Sequence, residues 1–181
     1  GFFDKMTDTQ KQAIEAVAMD MWEPYINTVI RYCPDAKIVF DFFHVVQAFG
    51  KVIDKVRTDE YLKADKQHKK VLKGTRYLLL KNEENLKGDQ KDHLKEVLEI
   101  NSTLSVLYVL KDHLKLIFYY SDREKVKHTL DDWCRMAGRI DHPSVSAFVK
   151  RLRFFEYGIL NHADYPIGTS GLEGANNKIK V

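Results

Sequence analysis

The chain has 181 residues, 44% of them hydrophobic and 30% charged, and a formal net charge of +3. These values suit one folded domain, or one domain that carries a large insertion. A membrane-spanning helix needs about 20 apolar residues, and the apolar runs here are much shorter, which excludes a membrane-spanning segment. The two cysteines, Cys33 and Cys134, stand far apart, which excludes a disulfide scaffold. We expect both to be buried, in a reducing cytoplasm.

The first third of the chain predicts strands that alternate with helices. A capping-box pattern at Thr7 opens a short helix. Short apolar runs near 17–20 and 37–40 predict two buried strands, which end on Asp20 and Asp41. Helical apolar spacing follows each run. Ligand-binding and catalytic groups collect at the carboxyl ends of strands in α/β sheets, so the two aspartates are candidates for one site.

From about residue 59 to 160 the apolar spacing predicts helices only. Ser121 begins a second capping-box pattern, and Pro143 suits the first position of a later helix. The apolar stripes of these helices indicate core packing rather than a cofactor site. After a turn at 168–171, residues 172–181 predict a last helix.

The positive charge is concentrated in residues 51–81, which hold ten basic and four acidic side chains. Helical spacing would bring four of the basic residues to one face of a helix: Lys63, Lys66, Lys70 and Lys73. Such a stretch could meet a polyanion. On charge alone, a solvated helix face is the favoured interpretation.

Four side chains are candidates for chemistry: Asp20, Asp41, His44 and Glu173. His44 follows Asp41 by one helical turn, so both can face the same space. Glu173 falls in the first turn of the predicted last helix, where the helix dipole favours a carboxylate, and a purely structural role there stays open. Converging carboxylates suit Mg²⁺, and two such ions can promote phosphoryl transfer.

Three segments resemble bacterial DDE transposases of the ISL type. Residues 17–26 resemble the segment that holds the second catalytic aspartate of that family. Residues 34–47 resemble its Asp-x-x-His segment, and residues 169–180 resemble the segment with the catalytic glutamate. The order of the segments and the long helical interval between them also match.

The resemblance implies an α/β fold with mostly helical content. Residues 1–58 would form part of a ribonuclease H-like core, residues 59–160 a large all-helical insertion, and residues 161–181 the return to the core.

The resemblance also implies an activity. Asp20 and Glu173 would be ligands of two Mg²⁺ or Mn²⁺ ions, and Asp41 and His44 would lie near the scissile phosphate or shape the site. The family cuts DNA at transposon ends and joins the freed 3′ ends to target DNA. Partners would therefore be DNA and a second copy in a homodimer, in the cytoplasm and at the nucleoid when bound to DNA.

The resemblance makes DNA the polyanion that the basic residues could bind, through its backbone and without reading its sequence: Lys63, Lys66, Lys70, Lys73 and Arg76. Two residues beyond Glu173 extend these predicted DNA contacts. Asn177 and Lys180 follow Glu173 by four and seven residues, so they would share its helix face. Lys180 could contact a DNA phosphate there, although a solvated lysine is as compatible with the pattern.

The chain also departs from the family pattern. The first catalytic aspartate of the family lies on a strand upstream of the second, and only nineteen residues precede Asp20 here. We expect that aspartate to be absent and the fragment to be inactive alone. Two alternatives stay open: a non-enzymatic helical module that binds DNA or protein, such as a decayed transposase remnant, and a phosphohydrolase that uses Asp20, Asp41 and His44.

Overall fold

The computed structural model describes residues 1–168. This part of the chain is mostly helical and contains a two-stranded parallel sheet of β1 (Ala16–Met19) and β2 (Lys37–Phe40). The helices are α1 (Asp8–Gln12), α2 (Glu23–Tyr32), α3 (Phe42–Lys63), α4 (Lys66–Leu72), α5 (Arg76–Leu80), α6 (Gly88–Ile100), α7 (Ser102–Ile117), α8 (Arg123–Ala137), α9 (Pro143–Phe154) and α10 (Glu156–Asp164). The predicted mostly helical α/β fold is confirmed at this level.

Local capping signals set several of these helix starts. The Thr7 hydroxyl accepts from Gln10 N and the Gln10 side chain accepts from Thr7 N, which confirms the predicted capping box. Pro143 opens α9 as predicted. The predicted cap at Ser121 is wrong by one residue. Asp122 precedes α8, and its carboxylate accepts from Lys125 N at 2.9 Å, because a charged acceptor satisfies a helix N–H especially well.

The chain folds into two compact units. Within the described residues, the first unit comprises Gly1–Val46, Lys115–Leu130 and the segment from residue 152 to 168, and the second comprises Gln47–Leu114 and Asp131–Arg151. The predicted boundaries near residues 58 and 160 stay a prediction.

In the first unit, α10 packs against β2. Phe40, at the end of β2, is fully buried, with the rings of Phe155 and Tyr157 at centroid distances of 5.1 and 5.6 Å. A β-carbon added at Gly158 would lie 2.4 Å from Phe40 Cδ2 and Cε2. Asn161 Nδ2 donates to Ile38 O at 2.9 Å. A glycine and an amide therefore let the helix backbone approach the strand closely.

The described residues of the second unit form helices joined by loops and contain no strand. An aromatic cluster forms part of its core: Phe49 lies at centroid distances of 5.1 Å from both Trp133 and Phe148. Trp133 is 1% exposed, and its Nε1 donates to Leu110 O at 2.8 Å. The indole thus buries its apolar body while its single donor is satisfied.

A buried lysine and a buried histidine in the second unit also have hydrogen-bond partners. Lys111 is 4% exposed, and its Nζ donates to the carbonyl oxygens of Leu79 at 3.0 Å and Lys81 at 2.6 Å. His142 is 7% exposed, and its Nε2 lies 3.1 Å from Asp59 Oδ2. These bonds offset the cost of removing polar groups from water.

Both cysteines are buried free thiols, as predicted, with exposed fractions of 2% for Cys33 and 4% for Cys134. Across residues 1–168, no helix combines the length and the apolar character needed to cross a membrane.

Candidate functional site

The candidate site lies at the carboxyl edge of the two-stranded sheet. Met19 of β1 pairs with Phe40 of β2 in parallel register, and Asp20 and Asp41 are the next residue on each strand. Asp41 N donates to Met19 O at 3.0 Å, which continues the pairing to this edge. Because neighbouring strands lie about 4.8 Å apart, the backbones of the two aspartates are adjacent.

The Asp20 carboxylate has no hydrogen-bonded or ionic neighbour among residues 1–168. Its side chain is half-buried. In the described part of the chain, no hydrogen bond or ion pair engages that carboxylate. Its oxygens are therefore available to a cation or another ligand that the protein itself does not supply.

Asp41 is bonded within the protein. Its carbonyl accepts the first hydrogen bond of α3, from Val45 N, and its Oδ1 accepts from Phe43 N at 2.7 Å. Asp41 is therefore the N-cap of α3, and it is 3% exposed. The N–H donor and the positive end of the helix dipole stabilise the buried carboxylate.

The segment that follows α10 approaches the same carboxylate. A β-carbon added at Gly168 would lie 3.0 Å from Asp41 Oδ2 and 3.9 Å from Cγ. A side chain at this position would therefore press against a buried charged group. Glu173, five residues further along the sequence, lies outside the described residues, as do Asn177 and Lys180.

Two histidines lie close to Asp41, and the sequence pattern predicted only one. His44 is half-buried in the first turn of α3, and its ring lies 5.7 Å from that of Phe43. His162 of α10 is the second, and its ring packs edge-on at 5.3 Å from Phe118. Burial lowers the pKa of His162 below 6.5, while the charge of Asp41 opposes that shift by favouring the protonated ring. The imidazole of His162 is therefore mainly neutral at pH 7.

A divalent metal was predicted at this edge, and the donor chemistry fits it. The carboxylate oxygens of Asp20 and Asp41 are the hard ligands that Mg²⁺ prefers. Among residues 1–168, no group of three or more His, Cys, Asp or Glu side chains is placed to hold a metal ion. A complete ligand set would need further carboxylates, of which Glu173 is the candidate from the sequence.

The basic residues predicted to bind DNA do not share one helix. Lys63 ends α3, Lys66 and Lys70 belong to α4, and Arg76 begins α5. The helix breaks before α4 because the Asp65 carboxylate accepts from the N–H groups of Gln67 and His68. The predicted single helix face is therefore wrong.

The five basic side chains also differ in whether a carboxylate of the protein already pairs with them. Lys63 Nζ lies 3.4 Å from Glu60 Oε1, and Arg76 Nε lies 3.2 Å from Asp54 Oδ2. Of these five residues, three are exposed and have no ion pair within residues 1–168: Lys66, Lys70 and Lys73. These three ammonium groups are the ones best able to meet a polyanion.

Comparison with known proteins identifies the family. A family model for DDE transposases of the ISL3 type, described as "Transposase", matches residues 1–181. The chain is 37% identical over 183 residues to the transposase for insertion sequence element IS1001 of Bordetella parapertussis, covering 99% of this chain and 45% of that protein. It is 26% identical over 203 residues to the transposase for insertion sequence element IS1557 of Mycobacterium tuberculosis, covering 99% and 46%.

The chain thus spans less than half the length of these curated relatives. No solved structure matches it. The family model covers every residue, including the segments of Asp20, Asp41 and Glu173 on which the resemblance was based. The chain belongs to the ISL3-type family of insertion-sequence transposases.

Proposed function

We propose that this chain is part of the catalytic domain of a transposase that cleaves DNA at the ends of an insertion sequence and joins the freed 3′ ends to target DNA. The observation that supports this most directly is the unpartnered, half-buried carboxylate of Asp20 among the described residues, directly after β1 and beside Asp41. A ribonuclease H-like core is part of the proposal, and β1 and β2 are its two described strands.

Asp20 and Glu173 are the proposed direct metal ligands, and the metal is Mg²⁺ or Mn²⁺, two ions in the complete enzyme. Such ions supply an activated nucleophile and stabilise the leaving oxygen during phosphoryl transfer. Asp20 contributes by holding a hard-oxygen ligand at a fixed strand end. Asp41 and His44 shape the site from the first turn of α3, where the buried N-cap fixes the helix start relative to β2.

The first catalytic aspartate is proposed to come from sequence outside these 181 residues. Within the described residues β1 pairs only with β2, and Ala16, Val17 and Ala18 are half-exposed. An open edge of this kind can accept another strand. We therefore expect this chain alone to bind metal weakly and to cleave no DNA.

DNA is the proposed partner, through its backbone. Lys66, Lys70 and Lys73 are exposed cations, and Lys63 and Arg76 would contribute after exchanging their carboxylate partners for phosphates. Asn177 and Lys180 are proposed to contact phosphates near Glu173. Contacts of this kind position DNA without reading its sequence. We further propose that the enzyme acts as a homodimer in the bacterial cytoplasm.

The main alternative is a non-enzymatic module that binds DNA or protein. The exposed lysines on α4 favour it equally, because polyanion binding does not need a metal site. Catalysis separates the two functions. The longer transposase that contains this chain should nick or cut a labelled insertion-sequence end only when Mg²⁺ is present.

A matched pair of variants completes this test. Asp20→Asn keeps the shape of the side chain but removes its charge, and we expect cleavage to fall at least about 100-fold. Asp35→Asn makes the same change in the exposed turn before β2 and should leave cleavage unchanged. If the longer protein binds DNA but never cleaves it, or if Asp20→Asn cleaves normally, the catalytic proposal fails.

A further inference from the structure

The carboxyl edge of the sheet carries exposed aromatic side chains as well as carboxylates. Trp22 and Tyr25 follow Asp20 closely and are 49% and 56% exposed. Phe43 follows Asp41 and is 47% exposed. A single exposed aromatic residue needs no explanation. Three of them directly after the two candidate catalytic strands indicate a surface that is covered during function.

The geometry of the aromatic pair is suited to a flat ligand. The rings of Trp22 and Tyr25 lie at a centroid distance of 4.5 Å with an interplanar angle of 87°. An edge-to-face contact of this kind favours one orientation of each ring relative to the other. Because each ring is about half exposed, each retains surface on which a further flat ring can stack. Trp22 itself is the N-cap of α2, and its carbonyl accepts from Tyr25 N and Ile26 N.

The chemistry of this edge requires a ligand with two properties. It must carry phosphates for metal ions at Asp20, and it must carry flat rings for the aromatic side chains. A nucleotide has both, but the bases inside duplex DNA are stacked on both faces and cannot also stack on a protein. An unpaired base can, and aromatic side chains are the usual platform for it.

We infer that Trp22 and Tyr25 form a stacking site for an unpaired base of the DNA strand that enters the candidate active site, with Phe43 just after the end of the neighbouring strand. This inference rests on the proposed function, because Asp20 places the strand there. The aromatic residues hold the end of the DNA in an opened form, and the phosphate next to it lies at the carboxylate of Asp20, which would hold a metal ion for cleavage.

Intrinsic fluorescence provides a direct probe. The chain has two tryptophans. Trp133 is 1% exposed in the aromatic cluster of the second unit and gives a constant background. Trp22 is the exposed one, and a base stacked on its indole should quench its emission. The 181-residue chain is titrated, with Mg²⁺ present, with a duplex that ends in an unpaired overhang and with the same duplex made blunt.

The expected result is quenching by the overhang duplex and little quenching by the blunt duplex. Binding is measured in parallel by the anisotropy of labelled DNA. Trp22→Ala should weaken binding of the overhang duplex by about 5- to 150-fold, the range that one stacked base contributes. Trp22→Phe keeps an aromatic ring and should retain most of the affinity. Phe154→Ala removes an aromatic ring that is 67% exposed at the end of α9 and should have no effect.

Three outcomes would overturn the inference. The first is DNA binding without quenching. The second is equal binding and quenching by blunt and overhang DNA. The third is binding unchanged by Trp22→Ala in a variant whose circular dichroism matches the wild type. Each of these leaves the proposed cleavage standing, because Asp20→Asn tests cleavage separately in the longer protein.

Discussion

Gly158 is the position where one added methyl group should have the clearest effect on the first unit. A β-carbon there would lie 2.4 Å from two ring atoms of Phe40 and 3.1 Å from a third. Non-bonded carbon atoms are at their optimal separation at about 3.5–4.0 Å. The substitution Gly158→Ala therefore requires a displacement of about 1 Å or more at this contact.

Phe40 has little room to move. It is fully buried, and Phe155 and Tyr157 contact its ring from α10 and the residue before it. Overpacking of this kind costs about 1–3 kcal/mol. Replacing glycine by alanine inside a helix gains up to about 1 kcal/mol. The clash is severe enough to place the overpacking cost near or above its upper end, so we expect a net loss of about 1–3 kcal/mol.

Thermal and urea unfolding followed by circular dichroism measure this loss. For a chain of this size, a net loss of about 1–3 kcal/mol lowers the Tm by about 3–10 °C. Gly88→Ala is the matched control. Gly88 is the first residue of α6, and a β-carbon there meets no atom within 4 Å. This variant should unfold at the wild-type temperature or slightly above it.

A second substitution tests whether the cause is the contact with Phe40. Phe40→Leu removes ring atoms, so the double variant Phe40→Leu/Gly158→Ala should lose less stability than the sum of the single variants, by at least about 0.5 kcal/mol. The close-packing explanation is refuted if Gly158→Ala is as stable as wild type, or if the two losses simply add.

Two further predictions concern histidines. His142→Ala should reduce the free energy of unfolding by about 1–3 kcal/mol in urea titrations, because it removes a buried ring and leaves Ser144 N–H without the Nδ1 acceptor that it bonds. His68→Ala, at the exposed pair with Asp65, should leave the urea midpoint nearly unchanged. Equal losses would contradict this. The folded state lowers the pKa of His162 below 6.5. As the pH falls below 6.5, the unfolded chain therefore binds more protons than the folded chain does. The contribution of His162 to stability is retained above pH 6.5 and lost below it. His162→Gln should flatten this loss in unfolding measured between about pH 5 and 8, and an unchanged pH dependence would count against it.

The local elements of this fold could be predicted because their signals are local. The run Lys37–Phe40 is apolar and ends on a charge, and the strand has those bounds. The capping box at Thr7 and the proline at 143 each set a helix start within a few residues of chain. Such patterns need no knowledge of the tertiary structure.

The helix boundaries near the basic residues were harder to predict, because the spacing of the charges and the helix-capping residue indicate different boundaries. Spacing of three and four residues favoured one continuous helix from Lys63 to Lys73. The Asp65 carboxylate instead binds two N–H groups of α4, which starts a new helix. A carboxylate that satisfies two otherwise unpaired donors outweighs a pattern of exposed lysines, because the lysines contribute almost nothing to helix position.

The surroundings of Asp41 could not be predicted, because they depend on contacts between distant segments. His162 and Gly168 lie far from Asp41 in sequence, and no motif links them. Their places follow from α10, which Gly158 and Asn161 hold against β2. The burial of Lys111 could not be predicted either, because a lysine is rarely buried. Carbonyl oxygens of distant residues accept from its ammonium group, which also lies over the Tyr108 ring.

The two aspartates at the sheet edge therefore differ in what their substitution can reveal. Asp41 is buried and caps α3, so its replacement removes a helix cap and leaves the N–H of Phe43 without its acceptor. A loss of activity in an Asp41 variant would follow from that damage alone. Asp20 has no such bonds in the described residues, so its replacement changes charge with little change in packing. A catalytic role at this edge is consequently decided at Asp20, and Asp41 is the residue whose stability must be measured before its activity is interpreted.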